Sequence, residues 1–242
     1  MNAIGVIPAR YKATRFEGKV LANLKGKPII QHVYEMADES RMLDDLIVAA
    51  DDERIIKAVK EFGGKAVLTS LGHQTGTDRL TEIINPLDVN IVVNIQADEP
   101  FVHHSMIDDL VNTLTDDASV PMATVIKKID DKDDLINPNI VKVVIDKNGF
   151  ALYFSRSPIP FERGEKDNIF YKHLGLYAYT KDFLFTYTNL PQSRLEKAES
   201  LEQLRALEHG FKIKTIETDI NTIGIDTPED LKRAEKAFSE RA

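Results

Sequence analysis

The chain has 242 residues, 43% of them apolar and 29% charged, with no Cys, no Trp and a net charge of −8. That length suits one α/β domain, or one carrying an insertion, and the lack of Cys excludes disulfides, Cys-based zinc or iron–sulfur centres and thiol catalysis. The acidic balance argues against nucleic acid as a partner, and an acidic protein that takes a polyphosphate must gather its basic residues locally.

The first residues, Met1 to Pro8, have neither a basic segment nor a long apolar stretch, so no signal peptide is expected. No apolar run approaches the roughly 20 residues of a membrane span. The expected location is therefore cytoplasmic, with no membrane partner.

Ala3 to Pro8 reads as a buried strand, followed by a loop from Ala9 to Lys27 rich in Arg, Lys and Gly. Pro28 opens a helix to about Ser40. Leu46 to Ala50 is a second buried strand. Asp51-Asp52 can cap a helix from Glu53 to Phe62, which Gly63-Gly64 stops. Lys65 to Leu68 reads as strand, Leu80 to Asn85 as helix, and Ile91 to Gln96 as a fourth strand. Such alternation implies a mainly parallel sheet with helices on both faces.

The pattern then changes. Ala123 to Ile126, Ile140 to Asp146, Ala151 to Ser155 and His173 to Tyr179 read as strands with few helices between them. Asp146-Lys147-Asn148-Gly149 is a hairpin turn signal. This stretch, about 120–180, is expected to be an antiparallel insertion in a single domain over 1–242. One helix is expected from Arg194 to His209, ended by Gly210, then a strand from Lys212 to Ile216. Asp226-Thr227-Pro228-Glu229-Asp230 starts the last helix.

Several groups carry chemistry. Arg10, Arg15 and Lys19 place three cations in the loop after the first strand, the usual ligand crevice of an open α/β sheet. The spacing is not that of a P-loop, and no G-x-G-x-x-G follows the strand. Asp98 and Glu99 end the fourth strand, and Mg²⁺ takes one or two carboxylates beside phosphate oxygens; a helix cap is the plainer alternative. Asp226 is either a cap or a second such carboxylate. Thr75-Gly76-Thr77 offers hydroxyls and close backbone approach, or simply begins a helix. Arg156 can pair with a carboxylate. His173 and Tyr177 share a strand face, and Glu199 and Gln203, four apart, share a helix face.

Taken in order, these motifs resemble the 3-deoxy-manno-octulosonate (KDO) cytidylyltransferase family. The likeness runs through Ile7-Pro8-Ala9-Arg10-Tyr11, Gly18-Lys19, Asp51-Asp52-Glu53-Arg54, Gly76-Thr77-Asp78-Arg79 and Asn94-Ile95-Gln96 with Asp98-Glu99-Pro100. It continues through Tyr153-Phe154-Ser155-Arg156, Lys172-His173-Leu174-Gly175-Leu176-Tyr177, Leu201-Glu202-Gln203 and Gly224-Ile225-Asp226-Thr227-Pro228. The resemblance implies a Rossmann-like fold of the nucleotide-diphospho-sugar transferase type. Its insertion would serve sugar binding and homodimerisation. It implies Mg²⁺-dependent transfer of CMP from CTP to an acidic eight-carbon sugar, with pyrophosphate released, for lipopolysaccharide biosynthesis. Carried over by residue, Lys19, Asp98 and Asp226 are catalytic, and both Asp residues hold Mg²⁺. Ala9, Arg10, Arg15, Lys19, Thr75, Gly76 and Gln96 border the nucleotide. Gln96, Arg156, His173, Tyr177, Glu199 and Gln203 line the sugar, with Glu196 and Glu202 as alternatives to Glu199.

The chain departs from the usual family pattern at Ala13, Glu17, Ala50 and Ala97, where Ser, Pro, Thr and Gly are expected. Ala97 would be strained if its backbone needed a positive φ. An extra acid such as Glu17 or Glu162 would suit an amine, so 8-amino-KDO stands as an alternative substrate. A non-catalytic nucleotide-binding protein is the alternative from another class.

Overall fold

The computed structural model describes residues 2–13, 15–73, 75–163 and 169–241; Thr14, in the loop after the first strand, and Gln74, just before the Thr75-Gly76-Thr77 turn, lie outside them. In chain order the elements are β1 (Ala3–Ala9), a 3-10 turn at Lys19–Leu21, the short strands β2 (Asn23–Leu24) and β3 (Lys27–Pro28), α1 (Ile29–Asp38), β4 (Asp45–Ala50), α2 (Glu53–Glu61), β5 (Ala66–Leu68), α3 (Gly76–Ile84), β6 (Ile91–Asn94) and α4 (His104–Asp116). They continue with β7 (Met122–Lys128), α5 (Lys132–Ile136), β8 (Lys142–Ile145), β9 (Ala151–Ser155), β10 (Tyr171–Thr180), α6 (Lys181–Asn189), α7 (Arg194–Glu199), α8 (Leu204–Glu208), β11 (Lys214–Glu217) and α9 (Pro228–Arg241). Two compact units result: Met1–Val111 with Asn221–Ala242, and Asn112–Ile220.

The first unit holds a parallel sheet of order β6-β1-β4-β5. Residues Ala3, Ile4, Val6, Ile7 and Ala9 of β1 are all fully buried. A strand covered on both faces reads as a continuous apolar run, without alternation. Because the strands are parallel, their carboxyl ends share one edge, and the loops that carry ligands in such sheets start there.

The helices begin at side-chain caps. The Asp52 carboxylate accepts the Arg54 N–H ahead of α2, and Thr75 and Asp78 form a reciprocal capping box ahead of α3. An apolar cluster of Leu24, Ile29, Phe101, Ile225 and Ala234, flanked by Phe16 and Phe238, seats the loop after β1 and the start of α9 on one floor.

The second unit holds a sheet of order β11-β7-β10-β8-β9, in which β11 and β7 are parallel and the other neighbours antiparallel. The expected hairpin joins β8 and β9. Asp146 accepts the N–H groups of Asn148 and Phe150 at 2.8 and 2.9 Å, and Gly149 supplies the positive φ of 74° that the turn needs. The fold class is the mixed α/β arrangement expected from the alternation, with parallel and antiparallel parts in the expected order.

Three expectations change. The helix from Arg194 to His209 is broken, with α7 ending at Glu199 and α8 starting at Leu204. Ser200 takes a left-handed conformation (φ 53°), and the N–H groups of Ser200 and Leu201 both return to the Glu196 carbonyl. That end is sealed by burial of Leu201. Glu199 and Gln203 therefore do not share a helix face. Helices α4 and α6 lie where the sequence reading places none, although Met106, Ile107, Leu110, Val111 and Leu114 of α4 are buried at helical spacing. The helix expected at Leu80 begins four residues earlier, at Gly76. Among the described residues, no helix is long and apolar enough to cross a membrane.

Candidate active site

The cation loop, both candidate metal carboxylates and the Thr75-Gly76 turn all belong to the first unit. Lys19 follows the loop as the first residue of the 3-10 turn, and its ammonium donates to both Asp98 and Asp226, to the latter at 2.8 Å. Arg15, more exposed, donates to the other oxygen of Asp226 at 2.9 Å. Burial works to lower the Lys19 ammonium pKa, but Asp98 and Asp226 outweigh it and the net shift is upward.

Two carboxylates far apart in sequence thus converge on one cation. Their turns are joined directly, because the Ile225 N–H donates to the Asp98 carbonyl at 2.9 Å. The capping alternative for Asp226 is excluded by the start of α9. There Thr227 Oγ1 accepts the Asp230 N–H, while Asp230 Oδ2 accepts the N–H groups of Asp226 and Thr227. Asp226 is left to face the basic loop.

Glu99 lies beneath this pair. Burial first, then the charges of Asp98 and Asp226, push its carboxyl up to about 8. Its Oε2 is buried without a hydrogen-bond partner, and a Cβ on Gly224 would stand 2.6 Å from its Oε1. Among the described residues, no group of three or more His, Asp or Glu is arranged to hold a metal alone. Two carboxylates beside a loop of cations have the chemistry that Mg²⁺ takes when substrate and water supply its remaining oxygens.

Arg10 places its Nη2 in a buried position with no partner, as expected of a group that awaits an anion. Ala9 ends β1 and its carbonyl accepts the Asp51 N–H at 3.2 Å. The Thr75 turn is a helix start: its hydroxyl accepts the Asp78 N–H and its own N–H goes to the Asp78 carboxylate. Gly76 packs against Pro8 at the end of β1, where a Cβ would meet the proline ring at 3.3 Å. Gln96 donates to Asn94 at 3.3 Å. Ala97 carries no strain, since among the described residues only Lys25 and Ser200 are non-glycine residues with positive φ.

Of the residues expected to line the sugar, Arg156, His173, Tyr177, Glu199 and Gln203 belong to the second unit and form two groups. In one, Glu199 accepts from the Ser155 hydroxyl at 2.7 Å and the Arg156 N–H at 2.9 Å. Arg156 donates through Nε to the Glu199 carbonyl (2.8 Å), through Nη1 to that of Pro138 (3.0 Å) and through Nη2 to that of Ser200 (3.4 Å). Three of five guanidinium N–H groups are so used, and two remain for a carboxylate.

In the other group, the His173 and Tyr177 rings lie 5.2 Å apart, although β10 is irregular between Leu174 and Tyr177. Thr124 donates to the Leu176 carbonyl at 2.8 Å and lies 3.0 Å from His173 Nε2. Nε2 is therefore the donor to Thr124, and Nδ1 is left as an acceptor. Burial drives the imidazole down to about 3, so it is neutral near pH 7. Gln203 is buried with its Nε2 unpartnered.

Three further residues stand in these groups: Glu99, read from the sequence only as a neighbour of Asp98, Glu202, read only as an alternative to Glu199, and Lys142, which the sequence reading gives no role. Glu99 adds a buried carboxyl to the Asp98–Asp226 pair. Glu202 lies close enough to raise the Tyr177 and Tyr187 phenols, behind burial as the larger cause. Lys142 is fully buried and donates to the carbonyls of Asn137 and Ile140 at 2.9 and 2.6 Å, which shapes the turn that offers the Pro138 carbonyl to Arg156. A lysine inside the run Val141-Lys142-Val143-Val144 was the one available signal.

The chain is similar to known proteins. Residues 4–216 match the cytidylyltransferase family. The 3-deoxy-manno-octulosonate cytidylyltransferase of Thermodesulfovibrio yellowstonii is 52% identical, over 99% of both chains. That of Geotalea uraniireducens is 50% identical, over 96% of this chain and 97% of its own. The solved structure of CMP:2-keto-3-deoxy-manno-octonic acid synthetase complexed with CTP superposes with a TM-score of 0.95, at 42% identity and complete coverage of both chains. On this sequence and structural likeness, the chain belongs to the 3-deoxy-manno-octulosonate branch of the cytidylyltransferase family of nucleotidyltransferases.

Proposed function

We propose that this enzyme transfers CMP from CTP to the anomeric hydroxyl of KDO, with release of pyrophosphate, for lipopolysaccharide biosynthesis in the cytoplasm. The observation that carries the reading is the meeting of Asp98 and Asp226 on the Lys19 ammonium beside a loop of cations. The relatives named as octulosonate cytidylyltransferases and the neighbour complexed with CTP support it.

Arg10, Arg15 and Lys19 bind the triphosphate and offset charge on its oxygens in the transition state. Asp98 and Asp226 would hold Mg²⁺ between protein and phosphate. When bound, that ion supplies positive charge to the phosphate oxygens and aligns the leaving pyrophosphate. Ala9, Thr75, Gly76 and Gln96 border the nucleotide, and Gln96 also the sugar. Arg156 directs its two uncommitted N–H groups at the sugar carboxylate. His173 offers Nδ1 to a sugar hydroxyl as a neutral acceptor, with Tyr177, Gln203 and Glu199 around it. The antiparallel insertion of a single domain would also carry a homodimer contact.

The test is pyrophosphate release from CTP and Mg²⁺ with KDO and with 8-amino-KDO, measured side by side. Turnover of KDO upholds the reading. Turnover of the 8-amino sugar alone keeps the chemistry and changes the substrate. CTP binding without release from either sugar supports the non-catalytic alternative.

A further inference from the structure

We propose that Tyr11 is a positioning residue, clamped so that the loop it opens presents Lys19 and its neighbouring cations to the CTP phosphates. The inference rests on the functional reading above.

The backbone of Tyr11 is held on both sides. Its N–H donates to Asp51 Oδ1 at 2.9 Å, and its carbonyl accepts the Gly18 N–H at 2.8 Å. The second bond holds residues 11 and 18, the two ends of the cation loop, together. Arg15 is on that loop and Lys19 is the residue after its closure. Gly18 has φ 68°, and a Cβ there would lie 3.1 Å from the Tyr11 ring. Closure at this point therefore calls for glycine on two counts.

The ring is held as well. The Arg54 guanidinium lies 3.3 Å from its centroid, within the range of a cation–π contact. Arg54 is aimed by Asp52, through Nε at 2.8 Å and Nη2 at 2.6 Å. The neighbouring acids Asp51 and Asp52, at the carboxyl end of β4, thus take the Tyr11 N–H and set its covering cation. Behind Asp51 stands Arg79, 1% exposed, with Nη2 at 3.7 Å from the carboxylate and Nη1 donating to Thr69. That buried guanidinium helps to hold the Asp51 carboxylate in place. None of these groups needs to touch substrate. Together they fix both ends of a loop whose last step is Lys19, and a catalytic group misplaced by about 1 Å costs about 10²-fold in rate.

The test uses the full chain and the variants Tyr11→Leu, Tyr11→Phe and Arg54→Gln. Arg54 is exposed, so its variant leaves folding intact. CTP affinity is measured by calorimetry with Mg²⁺ and no sugar. KM for CTP, KM for the sugar and Tm are measured alongside. We expect Tyr11→Leu and Arg54→Gln to weaken CTP binding about tenfold and to raise KM for CTP equally, with sugar KM and Tm unchanged. Tyr11→Phe, which keeps the ring and backbone bonds, restores the affinity. Wild-type CTP affinity in Tyr11→Leu, in an otherwise active enzyme, overturns the clamp alone. Parallel losses in CTP affinity, sugar KM and Tm overturn it too, since they mark a merely structural role. A wild-type protein that neither binds CTP nor turns over overturns the functional reading and the clamp with it.

Discussion

The Ile225 N–H donates to the carbonyl of Asp98 at 2.9 Å, and this backbone bond sets the turn after β6 against the turn before α9. The carboxylates on those turns are thereby brought together without a bond between them. Lys19 fills the space they share. Cap residues Thr227 and Asp230 satisfy the start of α9, so Asp226 is available for chemistry.

Lys19→Ala removes the ammonium that contacts both carboxylates. Loss of a preorganised charge contact at a reacting centre costs about 10²–10³ in turnover. We expect kcat to fall by about that factor, with Tm in Mg²⁺ buffer shifted by only about 2–4 °C. Steady-state pyrophosphate release and a thermal scan check both halves, and near-normal kcat would remove Lys19 from the catalytic set.

Gly224→Ala is expected to act on the carboxylates from below. The new methyl would meet Glu99 Oε1 at 2.6 Å, so Glu99 or the 224–226 turn must move. Overpacking of this kind costs about 1–3 kcal/mol. Urea unfolding should show that loss, and the apparent Mg²⁺ affinity should weaken because the turn carries Asp226. An unchanged Mg²⁺ dependence would mean that Glu99 swings away without disturbing the turn.

The acid branch of stability should carry a signature of His173. Its imidazole titrates near 6.5 in the unfolded chain and at about 3 in the fold. The unfolded state therefore binds more protons between those values. The stability that comes from keeping the ring neutral is fully present above pH 6.5 and is lost as pH falls towards 3, at up to about 1.4 kcal/mol per pH unit. His173→Gln should flatten denaturation free energies between pH 6.5 and 4.5. Identical slopes in both proteins would refute the burial of that ring.

Arg205 and Glu196 form a buried pair with two hydrogen bonds, at 2.9 and 2.6 Å, and each side chain is under a tenth exposed. Glu196 also completes the capping box of α7 with Ser193. Removing one partner strands a buried charge, which typically costs about 3–5 kcal/mol. Arg205→Met is expected to destabilise within that range by chemical denaturation. The double variant with Glu196→Leu should recover part of it, because no unpaired charge then remains.

Much of the first unit is legible in the chain itself. The apolar run from Ala3 to Pro8 reads as a buried strand, and Asp52 announces a helix start by a local hydrogen bond. Local chemistry also marks Asp146 to Gly149 as a turn, because the side chain and the glycine act within four residues. The helix from Arg194 is where local reading fails. Arg194, Leu195, Ala198, Leu204, Ala206 and Leu207 all favour helix, and the left-handed Ser200 answers to the burial of Leu201, a tertiary demand.

The order of motifs named the family, and the residue types named the chemistry: cations, carboxylates, an imidazole. Which of two roles each residue takes was decided by tertiary structure. Asp226 reads equally as cap or ligand until Thr227 and Asp230 are seen to do the capping. Arg156 reads as a free cation until three backbone carbonyls are found around it. Tyr11 reads as one more loop residue until Asp51 and Arg54 close on it. Propensity and spacing act over a few residues, and the sequence settles what depends on them. Burial, desolvation and the pairing of charges brought from distant segments depend on the whole packed chain, and only the fold settles those.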